Sequence, residues 1–586
     1  TSFVTLRCIV LCCVKKSFGV IVKLIYNNLI IKSMEINYFC NYNIMFKPVL
    51  IFSLLFAVSI NANQNEEQKP KLVVAIVVDQ MRYDFLENLS HRFSENGFNR
   101  LINEGYNCKN NFFNYVPTVT GPGHSSISTG STPMTHGIVG NNWYDREQNK
   151  SVYCTDDARY DNIGGDDYSG NKSPNNLLVE TFADINKSYN KDSKTVSVAI
   201  KDRGSILMGG KNADAAYWYY GKERAQWITS TYYMNDLPAW VENFNLEDNL
   251  EKYLEEWVPL YDISTYDNFE IDSNNFEKLF KGKDNSAFPY DTKSLMKHND
   301  CFDMIKETPY GNEMTTDFAI NAIINENLGK RGVTDVITIG YSSTDYVGHN
   351  FGVASVETQD TYIRLDKEIE KLLLFLDNEL GENQYTLFLT GDHGVLEIPA
   401  FLTSSGINAK AVSENDLAKE VVEQLYQVFK VEVSGLIDDI DNNQIYLNDD
   451  SIIDLGLDKN KVIDELIRIL KSFEFISDAH SANFILNSKN LDGYQKLIQN
   501  GFHQKRSGDV ALILKPNVIF YDGRGTTHGS GYNYDTHVPL IFYGCGIKHG
   551  ETFEITEIPD IAPTISKLLG QKMENSTGKL LDFIFE

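Results

Sequence analysis

The segment Lys71-Leu-Val-Val-Ala-Ile-Val-Val-Asp79 decides the fold class. Its apolar run is rich in β-branched residues and has no polar interruption, which is typical of a parallel strand covered on both faces. The run ends in the carboxylate of Asp79. Open α/β sheets bind ligands in the crevice outside the carboxyl ends of their strands. We therefore predict that Asp79 lines a ligand-binding crevice.

Similar apolar runs recur along the chain, and helical patterns lie between them. The strand-like runs are residues 195–200, 333–339, 385–389 and 538–543, and the helical patterns are residues 92–105, 313–328 and 356–380. Alternation of strand and helix favours a doubly wound α/β sheet, mostly parallel and flanked by helices.

Further metal-ligand residues lie close to three of these runs. They are Asp345-Tyr-Val-Gly-His349 after residues 333–339, Gly391-Asp392-His393-Gly394 after residues 385–389, and His528 before residues 538–543. Asp345 and His349 are one helical turn apart and would share a face. A turn between the two glycines can aim both Asp392 and His393 inward. With Asp79, these six groups are enough to hold two zinc ions.

A nucleophile candidate, Thr120, lies in the segment Thr118-Val-Thr120-Gly-Pro-Gly-His124. An extended stretch is expected to turn into a helix there, beginning near Pro122. Free amides at a helix start favour a phosphoryl group. The alternative is that Thr120 merely caps the helix. The metal-ligand residues favour the nucleophile, because a metal can activate a threonine hydroxyl.

Three other residues are candidates for holding a phosphoryl group. Asn141 can donate its amide, although it is equally typical of a turn. Lys201 and Arg203 follow a strand and, in an extended segment, would project to the same face. On a helix they would diverge and be solvated surface charges. An ammonium and a guanidinium suit a phosphoryl group with three free oxygens.

These residues occur in the order and spacing of the alkaline phosphatase superfamily. From about residue 71 to residue 570 the chain resembles the phosphate-irrepressible (PafA-type) alkaline phosphatases, which have a threonine nucleophile. The resemblance implies one zinc ion on Asp345, His349 and His528. It implies a second on Asp79, Thr120, Asp392 and His393. No counterpart of a magnesium site is found, so magnesium is not predicted.

Three other histidines have alternative interpretations. His537 also precedes the strand-like run 538–543, but only His528 has the Thr-His-Gly context of the superfamily's ligand. We therefore predict His528 as the ligand and His537 as a supporting residue behind it. His124 and His136 are predicted to be structural.

The predicted function is zinc-dependent hydrolysis of small phosphate monoesters through a covalent phosphothreonine, serving broad phosphate scavenging. Lys201 and Arg203 favour a doubly charged monoester over a diester. The alternatives are a nucleotide pyrophosphatase/phosphodiesterase-type diesterase on the same scaffold and a non-catalytic binder of phosphorylated ligands. A sulfatase is disfavoured, since Thr120-Gly-Pro-Gly-His124 lacks the Cys/Ser-x-Pro-x-Arg pattern.

The remaining expectations concern the whole chain of 586 residues. We interpret residues 1–44 as upstream translated sequence or a mis-assigned start, 45–62 as a signal peptide, 63–70 as a linker and 71–586 as one catalytic domain. A membrane-spanning role for residues 1–62 is the less favoured alternative. Insertions at about 204–312 and 400–520 are expected to form a cap. The protein is expected to be an exported, periplasmic or secreted monomer.

The net charge indicates which partners the protein can bind, and the cysteines raise the question of disulfides. The net charge of −27, which becomes about −32 without residues 1–62, disfavours nucleic acid as a partner. An anionic substrate then needs a local positive site, which two zinc ions would supply. Disulfide pairing among Cys108, Cys154, Cys301 and Cys545 is left open.

Overall fold

The computed structural model describes residues 69–166 and 168–585, and a ten-stranded mixed sheet lies at its centre. In spatial order the strands are Gly550–Glu557, Tyr106–Phe112, Leu540–Gly544, Tyr385–Gly391, Leu72–Val78, Asp335–Tyr341, Thr195–Ala199, Ala215–Tyr220, Gln226–Ser230 and Asn162–Ile163. The predicted α/β class, with helices flanking the sheet, is confirmed.

The strand Leu72–Val78 is central and buried at every position. Side chains of Leu72, Val74, Ile76 and Val78 enter one hydrophobic cluster, while those of Val73, Ala75 and Val77 enter a second. Successive side chains of a strand point to opposite faces, so both faces of the sheet are covered. The continuous apolar sequence of this strand follows directly from that double burial.

Parallel pairing runs through the middle of the sheet and recurs at one edge, where Gly550–Glu557 pairs parallel with Tyr106–Phe112. Tyr385–Gly391, Leu72–Val78, Asp335–Tyr341, Thr195–Ala199 and Ala215–Tyr220 are successive parallel neighbours. Leu540–Gly544 pairs antiparallel with Tyr385–Gly391 and with Tyr106–Phe112. Gln226–Ser230 is likewise antiparallel to Ala215–Tyr220. Parallel pairs outnumber antiparallel ones in this sheet, as predicted, but the antiparallel pairs on either side of its middle were not anticipated, because apolar content alone does not fix strand direction.

The main helices are Thr120–Thr129, Phe182–Tyr189, Asp202–Gly209, Tyr310–Asn325, Ser343–Phe351, Val356–Leu380 and Ile561–Leu568. The helix predicted over residues 356–380 has the predicted bounds. Ser355 caps its start by accepting the Thr358 amide, and Gly381 follows its last residue.

The predicted insertion at 204–312 starts too early. Helix Asp202–Gly209 and strands Ala215–Tyr220 and Gln226–Ser230 belong to the central sheet and its covering layer, so irregular structure begins only after Ser230.

The other predicted insertion, at residues 400–520, contains a second sheet. Its order is Ile437–Asp441, Gln444–Leu447, Val510–Leu514 and Ile476–Ser481, and helices Glu414–Phe429 and Lys459–Leu470 share its hydrophobic cluster.

The predictions for residues 1–62, including the signal peptide, lie outside the described residues. Among residues 69–166 and 168–585, no helix has the length and apolar content needed to cross a membrane. Cys108 and Cys154 are buried free thiols and Cys301 is an exposed one.

Candidate active site

Sheet topology brings the predicted metal ligands to one edge. Val78 is in register with Tyr341 on one side and Gly391 on the other, so the three parallel strands end together. Asp79 directly follows the strand that ends at Val78. Helix Ser343–Phe351 follows the strand that ends at Tyr341, and the Asp392–His393 turn follows the strand that ends at Gly391. His528 precedes the antiparallel strand Leu540–Gly544, whose amino end lies at this same edge.

The ligand-type side chains form two overlapping clusters. Asp79, Asp392 and His393 place ligand atoms within 4.8 Å of one another, as do Asp345, His393 and His528. His349 Nε2 lies 3.2 Å from Asp345 Oδ1. The two clusters match the two sets of zinc ligands that the resemblance implies, except that His393 belongs to both clusters and not only to that of Asp79 and Asp392.

Three histidine rings in the site each form a hydrogen bond from one nitrogen to a backbone carbonyl oxygen. Nδ1 of His349, His393 and His528 lies 2.7, 3.0 and 2.8 Å from the carbonyl oxygens of Thr526, Gly394 and Thr118. A carbonyl only accepts hydrogen bonds, so each Nδ1 carries the proton and each Nε2 keeps a lone pair. This arrangement is typical of metal-ligating histidines.

The Nε2 atoms face carboxylates, which are themselves acceptors. His393 Nε2 lies 3.4 Å from Asp79 Oδ1, and His528 Nε2 lies 3.6 Å from Asp345 Oδ1. Asp79 Oδ1 and His393 Nε2 are buried without a hydrogen-bond partner. Buried acceptors facing one another are costly unless a cation lies between them. The residues present therefore fit metal ions.

Burial governs the protonation of these groups. It lowers the pKa of His393, and it lowers the pKa of His528 well below the usual range, which keeps both rings neutral. Burial also acts to raise the pKa of Asp345, but the charged Lys201 ammonium, 2.5 Å from Asp345 Oδ2, acts against it, and that pKa lies well below its usual value. Neutral imidazoles and an ionised carboxylate are the ligand forms that zinc requires.

Thr120 is the first residue of helix Thr120–Thr129 and is 1% exposed. The helix therefore starts two residues earlier than predicted. Val119 occupies the cap position and no side chain caps the helix, so the capping alternative for Thr120 is wrong. Its Oγ1 lies 3.4 Å from both Lys201 Nζ and Arg203 Nη2.

The cations reach Thr120 by a geometry that differs from the prediction. Lys201 is the cap residue of helix Asp202–Gly209, so Arg203 is helical rather than extended. Their side chains nonetheless converge on Thr120. Lys201 Nζ also lies 2.5 Å from Asp345 Oδ2 and 2.7 Å from Asp79 Oδ2. Burial acts to lower the pKa of Lys201, but these two carboxylates raise it above its usual value.

Asn141 is oriented by the helix that carries Thr120. Its Oδ1 accepts the backbone amide of Gly121 at 2.8 Å. This hydrogen bond fixes Oδ1, so the Nδ2 group of Asn141 points away from the Gly121 amide. Asn141 can therefore donate from Nδ2 beside the start of helix Thr120–Thr129.

Sequence reasoning missed four residues that organise the site. Gln80, at φ 63°, donates its backbone amide to Asp392 Oδ1 and its side-chain Nε2 to Asp345 Oδ1, at 3.0 and 2.8 Å. Tyr153 OH accepts from Arg203 Nη1 at 3.0 Å. Asp535 accepts the amides of Gly529 and Ser530 beside His528. His124, predicted to be structural, places Nδ1 3.3 Å from Asp392 Oδ2.

The two remaining histidines lie elsewhere. His537 stacks between Tyr83 and Phe112 and its Nε2 lies 2.8 Å from the Lys109 carbonyl oxygen, so its ring does not support the ligand His528 as predicted. His136 Nε2 lies 3.0 Å from Ser126 Oγ, and burial lowers its pKa to about 3, in keeping with a structural role.

A buried threonine at a helix start, flanked by two cations and by paired Asp/His clusters at the carboxyl edge of an α/β sheet, is the arrangement of the alkaline phosphatase superfamily. The molecule is a phosphoesterase on that scaffold. More particularly, the chain belongs to the type I phosphodiesterase / nucleotide pyrophosphatase family, whose model matches residues 73–538.

Individual relatives match over almost the whole chain. A Myroides odoratus protein named as a calcium-transporting ATPase is 42% identical, covering 91% of this chain and 98% of the relative. Alkaline phosphatase PafA of Elizabethkingia meningoseptica is 38% identical, covering 86% of this chain and 92% of the relative. A crystal structure of wild-type PafA is similar with a TM-score of 0.84 at 37% identity, covering 88% of this chain and 99% of that chain.

Proposed function

We propose that the protein is an exported, periplasmic or secreted zinc-dependent phosphomonoesterase that acts through a phosphothreonine at Thr120. One observation carries this proposal. Three imidazoles turn unprotonated Nε2 atoms towards buried carboxylates, and Thr120 lies against Lys201 and Arg203 at the same edge of the sheet.

The donor set suits zinc. Imidazole nitrogen and carboxylate oxygen are zinc ligands, and Asp79, Asp392 and His393 would hold one ion while Asp345, His349 and His528 would hold another. When bound, two zinc ions supply Lewis-acid activation of a hydroxyl and stabilise the departing oxygen.

The residues of the chain itself position the phosphoryl group. Lys201, Arg203 and the Asn141 amide bind its non-bridging oxygens, where preorganised donors contribute most. Thr120 Oγ forms a bond to phosphorus as the bond from phosphorus to the alcohol oxygen breaks, and the threonine proton leaves with the alcohol. The oxygen of a water molecule then forms a bond to phosphorus as the bond to Thr120 Oγ breaks, and one proton of that water returns to the threonine oxygen.

Charge favours monoesters. A monoester carries two negative charges and leaves three oxygens for Lys201, Arg203 and Asn141 to bind, whereas a diester carries one charge and a second substituent. The terminal phosphoryl group of ATP resembles that of a monoester, so ATP belongs among the substrates to test. This would also accommodate the ATPase name of the Myroides relative.

Matched nitrophenyl esters test the proposal. Hydrolysis of nitrophenyl phosphate, bis-nitrophenyl phosphate and nitrophenyl sulfate is measured after chelation and again after zinc is restored. We expect zinc to restore a rate that is greatest on the monoester. A preference for the diester would move the protein to the phosphodiesterase alternative. Zinc binding without turnover of any ester would support the non-catalytic binder.

A further inference from the structure

One buried residue, Asp535, joins the loops that carry His393 and His528. Asp535 lies in the short helix Asn533–Thr536 and is 0% exposed. The rings of His393 and His528 are stacked, with centroids 3.5 Å apart and planes 15° apart. Both rings belong to one metal-ligand cluster, and His393 belongs to the other as well. The spacing of these two rings therefore affects both clusters.

The carboxylate of Asp535 holds the turn that follows His528. Its Oδ2 accepts the backbone amides of Gly529 and Ser530 at 3.1 and 2.7 Å, and it accepts the Ser530 hydroxyl at 2.6 Å. Gly529 has a φ of 126°, a conformation that glycine adopts readily and other residues do not. The three hydrogen bonds therefore fix a turn whose glycine gives it little rigidity of its own.

The backbone of the same helix holds the turn that carries His393. The Asp535 carbonyl oxygen accepts the Gly394 amide at 2.7 Å, and the Tyr534 carbonyl oxygen accepts the Val395 amide at 2.8 Å. A Cβ atom on Gly394 would lie 2.2 Å from the Tyr534 carbonyl oxygen, so the two backbones are in close contact. Asp535 thus contacts the residue that follows His393 as well as the residue that follows His528.

The turn after His528 also contacts the segment that leads to the proposed nucleophile. Thr118 Oγ1 donates to the Ser530 carbonyl oxygen at 2.8 Å, and His528 Nδ1 lies 2.8 Å from the Thr118 carbonyl oxygen. Thr118 is two residues before Thr120. Loss of the Asp535 carboxylate would therefore disturb His528 and the segment before Thr120 together.

We propose that Asp535 is a positioning residue that sets the spacing of His393 and His528, and through it the zinc affinity of both clusters. This inference rests on the proposed function, in which the two histidines are zinc ligands. Residues that orient metal ligands from behind contribute about 10- to 100-fold in metal affinity. Asp535 Oδ2 makes the contacts, whereas Oδ1 is buried without a hydrogen-bond partner. Asparagine keeps one acceptor oxygen, so it should replace Asp535 better than alanine does.

Zinc affinity of the full chain tests the proposal without relying on turnover. Zinc is titrated against a competing chelator for the parent chain, Asp535→Asn and Asp535→Ala. We expect the parent to bind two ions and Asp535→Ala to bind both of them about 10- to 100-fold more weakly. Asp535→Asn should fall between the two, and it keeps the test decisive if the alanine variant fails to fold.

The spectrum of bound cobalt separates positioning from general stability. Cobalt(II) in place of zinc absorbs visible light in bands that depend on the geometry of its ligands, so the bands of both Asp535 variants should differ from those of the parent. Asp366 is a matched control, because its buried carboxylate accepts the Ser94 and Phe98 amides at 2.6 and 2.7 Å. Asp366→Asn should lower the melting temperature but keep the zinc affinity and cobalt bands of the parent.

Three results would overturn the role of Asp535. One is unchanged zinc affinity and cobalt bands in both Asp535 variants, which would leave the proposed phosphatase intact. Another is an equal change in Asp366→Asn, which would show an effect of stability alone. The third is weakening of a single ion, which would show that Asp535 does not couple the two loops.

Failure of the proposed function gives a different pattern. A parent chain that binds two zinc ions but hydrolyses no ester would refute the phosphatase, while the zinc affinity of the variants would still decide the role of Asp535. A parent chain that binds no zinc would overturn both proposals.

Discussion

At the scale of single residues, the Arg203 guanidinium contacts the proposed nucleophile and is held in one orientation by a second hydrogen bond. Nη2 lies 3.4 Å from Thr120 Oγ1, and Nη1 donates to Tyr153 OH at 3.0 Å. The Tyr153 hydroxyl in turn donates to Asp202 Oδ1 at 2.6 Å. A guanidinium held in this way is preorganised to bind a phosphoryl oxygen.

Replacing Arg203 should change substrate selectivity as well as rate. A charge-assisted hydrogen bond contributes about 1.5–3 kcal/mol, so Arg203→Ala should lower kcat/KM for a phosphate monoester by roughly 10- to 100-fold. The loss on a diester should be smaller, because fewer charged oxygens are available to bind. The measurement is kcat/KM for nitrophenyl phosphate and bis-nitrophenyl phosphate.

Exposed Arg224 offers a matched control for this change. Arg224→Ala removes the same charge from the protein away from the site and should leave both rates unchanged. Equal losses on the two esters in Arg203→Ala would show that Arg203 does not distinguish them.

Residues adjoining recognisable strands could be predicted from the sequence, whereas residues defined by tertiary contacts could not. Asp79, Asp392 and His393 follow apolar runs, and the structure brings them together. His124 was assigned a structural role because nothing in its local sequence shows that helix Thr120–Thr129 packs against Asp392. Gln80 was missed because its left-handed backbone has no signature of the kind that glycine would give.

At the scale of elements, helix Thr120–Thr129 packs closely against the turn that contains Asp392 and His393. All ten of its residues are buried, and a Cβ atom on Gly123 would lie 2.3 Å from the Asp392 carbonyl oxygen. Glycine therefore allows the backbone of the nucleophile helix to contact the turn that carries two metal ligands.

Gly123→Ala should disrupt the cluster of Asp79, Asp392 and His393. The clash involves backbone, so the helix or the turn must move, at a cost of about 1–3 kcal/mol in the free energy of unfolding. We expect zinc content by elemental analysis to fall, together with stability in urea. Gly435→Ala is the control, since its Cβ would meet only Ser451 Oγ at 3.4 Å. Full zinc content and normal stability in Gly123→Ala would contradict this account of the helix.

Two element-level predictions failed for physical reasons. The cations at Lys201 and Arg203 were expected to converge only in an extended segment, yet they flank the first turn of a helix and their long side chains still reach one hydroxyl. The run at residues 538–543 was grouped with parallel strands, but Leu540–Gly544 is antiparallel. Strand direction depends on the path of the whole chain, which a local apolar pattern does not contain.

At the scale of the whole molecule, two cationic side chains lie beside the proposed nucleophile of a strongly acidic chain. The chain carries a net charge of −27, yet Lys201 and Arg203 are concentrated beside Thr120. The second sheet also reaches the site, because Asn442 Nδ2 donates to the Asn142 carbonyl oxygen at 2.9 Å, next to Asn141. That contact joins segments 300 residues apart and had no signal in the sequence.

If Thr120 is the nucleophile, its phosphorylated form can be trapped during turnover. The zinc-loaded protein is mixed with nitrophenyl phosphate, quenched in acid and mapped by peptide mass spectrometry. We predict a phosphoryl group on Thr120, its absence in Thr120→Ala, and turnover in that variant reduced by at least about a thousandfold. Thr120→Ser should retain a phosphorylated residue. A phosphoryl group on another residue, or near-normal turnover by Thr120→Ala, would contradict the account.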